Sequence, residues 1–164
     1  MAVSPEELVR LAVYGHFAAG TLLAATLLWG WLLLCARRLS AVSFARPEFS
    51  PTTGLTPLTL LAFATLTISL LLRAFAARRA PYSNQYEFAV TFAWGVLLTY
   101  LVYARRRGGW ATAAGALVVA LGLLLYASTL PSTLVEPSPA LQNPLLLTLH
   151  VGCAVVAYGA NAVA

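Results

Sequence analysis

Aspartate and lysine are missing from this sequence: its ten basic residues are all arginine and its five acids all glutamate. No Asp-based catalytic triad can be assembled from such a chain. Charged residues make up only 9% of the 164 positions, against about a quarter in a water-soluble domain. That leaves too little polar surface to cover a soluble globule. Cysteine is scarce as well. Cys35 and Cys153 form no CxxC pair and fall near opposite ends of their apolar blocks, which disfavours a thiol relay within the chain. There is no phosphate-cradling glycine-rich loop, no zinc-ligand spacing and no Ser/His/Asp arrangement. The net charge of +5 does not point to nucleic acid, because the arginines gather at the ends of apolar blocks and not in a soluble patch interleaved with aromatics. The N-terminus has no short basic segment followed by a cleavable apolar stretch, so the first apolar block reads as a retained span.

Hydrophobic residues are plentiful, at 60% of the chain with a mean hydropathy of +0.82. They come in blocks of roughly 20, the length that crosses a hydrocarbon core about 30 Å thick. The expected fold is all-α: a polytopic transmembrane helical bundle of about five spans, forming a single transmembrane domain over residues 1–164. The spans are placed at about 8–35, 58–77, 86–104, 110–130 and 145–164. Ser4, Pro5, Glu6 and Glu7 make a helix start, with a capping hydroxyl, a proline at the first position and early acids. A polar linker with Pro47, Pro51, Gly54 and Pro57 separates the first two spans. Arg105-Arg106-Arg107-Gly108-Gly109 reads as a tight turn, and Pro131, Glu136, Pro137, Pro139 and Pro144 punctuate the last loop. The chain stops where the fifth span reaches the membrane surface, which suggests an incomplete N-terminal part of a longer domain.

Five spans put the termini on opposite sides. With the N-terminus outside, Arg37, Arg38, Arg46, Arg105, Arg106 and Arg107 are cytoplasmic, while Arg10, Arg73, Arg78 and Arg79 are outside. The cytoplasmic excess of arginine favours that orientation. The 81–87 and 131–144 loops then share the outer face.

His150 lies about five residues, or roughly 8 Å, into the fifth block. A neutral imidazole near the outer interface can ligate a metal or haem iron, or can simply bond a neighbouring helix or water. His16, deeper in the first span and flanked by Gly15 and Ala18-Ala19-Gly20, fits a packing or hydrogen-bonding role better than ligation. Asn84-x-x-Glu87 has capping-box spacing, and either Ser83 or Asn84 can cap the third helix. Capping does not explain why Tyr82 and Tyr86 bracket the string. Arg73, Arg78 and Arg79 can snorkel to the interface or can form an outward anion site. Trp94 is more central than the other aromatics and reads as packing.

The string Pro81-Tyr82-Ser83-Asn84-Gln85-Tyr86-Glu87-Phe88 resembles the P-x-S-N-x-Y-E signature of the cytochrome c assembly family, in its CcsA/ResC branch. A second string, Pro139-Ala140-Leu141-Gln142-Asn143-Pro144 followed by Leu149-His150-Val151 and Tyr158, resembles that family's P-A-L-Q-S-x-W-L-x-x-H-V segment. The resemblance runs from about Thr56 to Ala164. It implies a membrane component of System II c-type cytochrome biogenesis in the bacterial cytoplasmic (inner) membrane, presenting haem b at the outer face for attachment to apocytochrome c. His150 matches a family histidine that is an outer axial ligand to haem iron. Arg78 and Arg79 become candidate propionate contacts, and Asn84, Tyr86 and Glu87 are the motif residues. The implied partners are haem, apocytochrome c, a membrane protein of the CcsB/ResB type and the lipid bilayer. The family's tryptophan-rich W-G-x-x-W-x-W-D segment is absent, and Asn143-Pro144-Leu145 departs from its Ser-x-Trp. A share in a cytochrome c haem lyase is therefore implied, with this chain by itself expected to be inactive. The competing readings are a cofactor-free structural or partner-binding membrane subunit and a haem-conducting, transporter-like channel.

Overall fold

The computed structural model describes residues 4–39, 51–107, 110–134 and 144–163, the side chains of 37–39, 51–56, 104–107, 110, 144 and 163 excepted. Among the described residues five helices run in order: α1 (Pro5–Leu39), α2 (Pro51–Ala77), α3 (Gln85–Arg107), α4 (Trp110–Ser128) and α5 (Pro144–Val163). Each contains a stretch long and apolar enough to cross a membrane: Pro5–Ala36, Pro57–Ala77, Gln85–Tyr103, Ala111–Ser128 and Leu145–Ala162. The chain is an integral membrane protein of the all-helical, polytopic kind.

The helix ends follow local chemistry. Ser4 and Glu7 form a reciprocal capping box: the Glu7 amide donates to Ser4 Oγ at 3.2 Å, and the Ser4 amide donates to Glu7 Oε2 at 2.9 Å. At the end of α2, the Arg79 amide bonds Ala74 O and the Arg78 amide bonds Phe75 O. That is a Schellman closure with Arg78 in the left-handed position, φ 53°, where glycine is usual.

Two boundaries differ from the sequence reading. The stretch from Pro51 to Pro57 is helical and not linker; Pro51 suits a first-turn position, and Pro57 sits inside α2. Arg105, Arg106 and Arg107 complete α3 and do not form the turn, since arginine is a good helix former and favours a helix C-terminus. Arg46 and the 135–143 stretch, which holds Pro139 to Asn143 of the second motif, lie outside the described residues.

Lipid offers no hydrophobic drive between helices, so close packing and polar contacts must hold the bundle. α3 is its centre, the most buried of the five, contacting α2, α4 and α5, while α1 packs chiefly on α2. α4 faces the bundle with Ala113, Ala116, Leu117, Ala120, Leu124 and Ala127, and turns Val118, Leu125 and Tyr126 outward. Its small alanines admit close neighbours. Glycine does the same where backbones nearly touch. A Cβ on Gly15 would lie 3.1 Å from Ser69 Cβ, and one on Gly159 would meet Gly95 O at 2.7 Å. Ser69 Oγ also donates to Ala12 O at 2.6 Å, tying α2 to α1. Trp94 packs as expected, stacked on Phe63 with Nε1 donating to Thr67 Oγ1 at 2.9 Å.

Candidate functional site

The first turn of α3 and the last turn of α2 meet around one carboxylate. Asn84 Oδ1 caps α3 by accepting from the Glu87 amide at 2.8 Å. The Glu87 side chain turns back, but it reaches the Ser83 amide (2.7 Å) and not that of Asn84. The capping box is thus stretched by one residue, and the geometry gives both Ser83 and Asn84 a part in it.

That bend carries the Glu87 carboxylate, fully buried, between two arginines. Arg73 Nε donates to Oε1 at 3.2 Å, and Arg79 Nη1 lies 3.5 Å from Oε2. Arg73 is itself only 1% exposed. It does not snorkel: Glu87 and the Tyr86 ring, whose centroid is 4.6 Å from the guanidinium carbon, hold it inside the bundle. Two cations share one anion. Arg73 Nη1 has no hydrogen-bond partner among the described residues, and Nη2, 3.2 Å from Oε1, is too poorly aimed to count as one.

Tyr86 extends the cluster to α1 and α4. Its hydroxyl is 3.1 Å from His16 Nδ1, and His16 Nε2 is 2.9 Å from Leu124 O. A carbonyl only accepts, so Nε2 carries the proton; in the neutral ring Nδ1 then accepts from the tyrosine O–H. Both nitrogens of His16 are thereby engaged. A groove of about 280 Å³ between α1 and α4 passes its ring, lined also by Phe17, Gly20 and Leu121, but no lone pair is left for a metal. His16 holds α1 to α3 and α4, the hydrogen-bonding role its glycine-flanked position favours.

The loop face continues through Asn84 Nδ2, which donates to Thr133 O at 3.1 Å and joins the α2–α3 loop to the segment after α4. Those two loops therefore lie on one side of the bundle. Thr91 Oγ1 bonds Pro81 O at 3.4 Å, and burial pushes the Tyr82 phenol up, so it stays protonated.

Of the residues singled out in the sequence, Arg73, Arg79, Ser83, Asn84, Tyr86 and Glu87 come together, and His16 joins them through Tyr86. Arg78 is exposed on the helix cap beside them. His150 stands apart, its ring on the exposed side of α5 with no hydrogen bond among the described residues. Among those residues no three His, Cys or Glu side chains gather as a metal site. Sequence reasoning missed the pairing of Arg73 with Glu87 and of His16 with Tyr86. The first had a visible signal: an arginine inside one span and a glutamate just inside the next, across a short loop, is a pair that lipid would enforce.

The chain is 37% identical over 128 residues to cytochrome c biogenesis protein CcsA of Synechococcus sp. (strain CC9311), a match covering 73% of this chain and 40% of that relative. It is 36% identical over 99 residues to cytochrome c biogenesis protein CcsA of Synechococcus sp. (strain WH7803), covering 58% of this chain and 31% of that relative. The chain thus spans about a third to two fifths of the length of these curated relatives. No family model and no solved structure matches it. Over the matched residues this membrane protein is therefore similar in sequence to CcsA.

Proposed function

We propose that the chain is part of the c-type cytochrome biogenesis machinery and handles haem b at the outer face of a bacterial cytoplasmic membrane, its N-terminus outside. The observation that carries this reading is the uncommitted His150, in a protein similar to CcsA whose other histidine is fully engaged. His150 would ligate the haem iron through a free ring nitrogen. Arg78, exposed on a strained cap, and Arg79, partly exposed beside Glu87, would pair with the propionates, since guanidinium and carboxylate form strong charge-assisted bonds. The donor set suits haem in kind, with one imidazole for the iron and cations for the acid groups. Bound haem would supply the vinyl groups to which the thiols of an apocytochrome c add. This chain's part is to hold and orient the macrocycle, with a CcsB-type membrane protein as its partner.

Asn84, Tyr86 and Glu87 are given a supporting role. They fix the end of α2 and the start of α3, and so fix where Arg78 and Arg79 stand. Orientation is tested with topology tags in the loops that hold Ser83 and Glu136, both expected outside; a cytoplasmic signal at either overturns it. For the ligand, the detergent-purified wild type is titrated with haem and its absorption spectrum compared with that of His150→Ala. A six-coordinate or five-coordinate imidazole spectrum in the wild type, lost in the variant, supports the assignment. Equal spectra, or no binding by either, sink it.

A further inference from the structure

The groove of about 280 Å³ between α1 and α4 is lined by Phe17, Gly20, Ala24, Leu121 and Leu125 beside the His16 ring. The polar atoms on its margin are already used. Thr21 Oγ1 donates to Ala18 O at 2.8 Å, Ser128 Oγ donates to Leu125 O at 2.6 Å, and both nitrogens of His16 are engaged. A Cβ on Gly20 would meet nothing within 4 Å, so the groove reaches down to the α1 backbone. Left unfilled, such a space forfeits the dispersion contacts of its lining. Its occupant must bring no polar group with it, because no donor or acceptor is left to receive one.

A second hollow, of about 350 Å³, lies nearer the N-terminal end of α1, between Glu6, Val9 and Arg10 and the Thr133 and Leu134 that follow α4. Arg10 and Phe17 are seven residues apart, so the two hollows share one face of α1 at a spacing of about 10 Å. Glu6 and Arg10 are exposed, and neither makes an ion pair among the described residues. Glu7, the other charge at this end, is committed to the Ser4 cap. An unpaired acid and an unpaired base thus stand together over one end of an apolar groove.

We infer that this face of α1 and α4 is a binding site for a zwitterionic phospholipid with a primary ammonium headgroup. One acyl chain lies in the groove past His16, the phosphate meets Arg10 and the ammonium meets Glu6. The charges select that headgroup. Guanidinium pairs well with phosphate, while Glu6 repels any further anionic charge. A primary ammonium donates up to three hydrogen bonds, strengthened by the carboxylate's charge, where a quaternary ammonium donates none. A helix is about 10–12 Å across with its side chains, too broad to lie within a groove between two packed helices. The site uses neither His150 nor Arg78 and Arg79. It rests neither on the haem reading nor on which side of the membrane holds the N-terminus.

The chain is stripped of lipid in detergent and placed in nanodiscs holding equal parts of phosphatidylethanolamine, phosphatidylglycerol and phosphatidylcholine with the same acyl chains. Native mass spectrometry then reads the lipid that stays bound on release. The wild type is expected to retain phosphatidylethanolamine above the other two. Glu6→Gln should erase its advantage over phosphatidylcholine, and Arg10→Gln should lower its retention about tenfold, the loss of one charge-assisted bond. Gly20→Leu, which fills the groove, should abolish retention while circular dichroism shows the helices intact. Should that variant not fold, the two exposed charge variants decide. Equal retention of the three lipids overturns the site, as does a preference untouched by both charge variants. Absence of any retained lipid also overturns it, and is the result expected if a protein segment fills the groove.

Discussion

Two histidines in one chain meet opposite circumstances. His16 is 2% exposed, with a hydrogen bond at each ring nitrogen, to a side chain 70 residues away and a carbonyl 108 residues away. The side chain of His150 is exposed and makes no hydrogen bond among the described residues. The difference teaches that availability depends on the partners that neighbouring helices present. A histidine is used up when its neighbours present one donor and one acceptor at the right ends of the ring. It remains open to a ligand when its helix stands at the edge of the bundle.

The comparison predicts that stability belongs to the His16 side of the molecule and ligand binding to the His150 side. The largest effect on stability is expected at Glu87→Gln, which leaves Arg73 buried beside a neutral partner. Breaking a buried pair costs about 3–5 kcal/mol, read as a fall in the midpoint of unfolding in mixed detergent. Glu87→Leu combined with Arg73→Met should cost less than either change alone; if the double variant is the worst of the three, the pair is not what holds α2 to α3.

His16→Leu comes next. Losing its two hydrogen bonds leaves Tyr86 Oη without its buried partner, an expected loss of about 1–3 kcal/mol. The haem spectrum should be unchanged by this substitution. A spectrum altered by His16→Leu would break the comparison, because the engaged histidine would then be a ligand.

Arg78→Gly should go the other way. Glycine adopts φ 53° without the clash between Cβ and the carbonyl, so the cap gains about 1 kcal/mol. Haem affinity should fall in the same variant if Arg78 contacts a propionate, and isothermal titration would separate the two effects. The smallest change in stability is expected for His150→Ala, within about 0.5 kcal/mol as for an exposed position without partners, together with loss of the imidazole spectrum. A large fall in stability at His150→Ala would place that residue in the packing of the bundle instead.

Much of the architecture was legible before any coordinates. Hydropathy is a local property, so apolar blocks marked five spans within a few residues of where they lie, and Ser4 with Glu7 announced the start of α1. The proline-bearing start of α2 was misjudged, because Pro51 at a helix start is compatible with helix and Pro57 costs one bond that a long helix can lose. The Asn84–Glu87 spacing foretold a cap, but not that the carboxylate would reach Ser83 and hold Arg73.

By itself, then, the sequence determined the membrane environment, the number of spans and the motif that likens the chain to CcsA. Only the tertiary structure decided which ionisable groups are consumed by the fold: Arg73 by Glu87, and His16 by Tyr86 and Leu124, with Arg79 only partly buried and His150 exposed. The physical reason is that a span needs only its own residues to be recognised. A buried polar group is satisfied by partners from other helices, and their positions follow from how the helices pack.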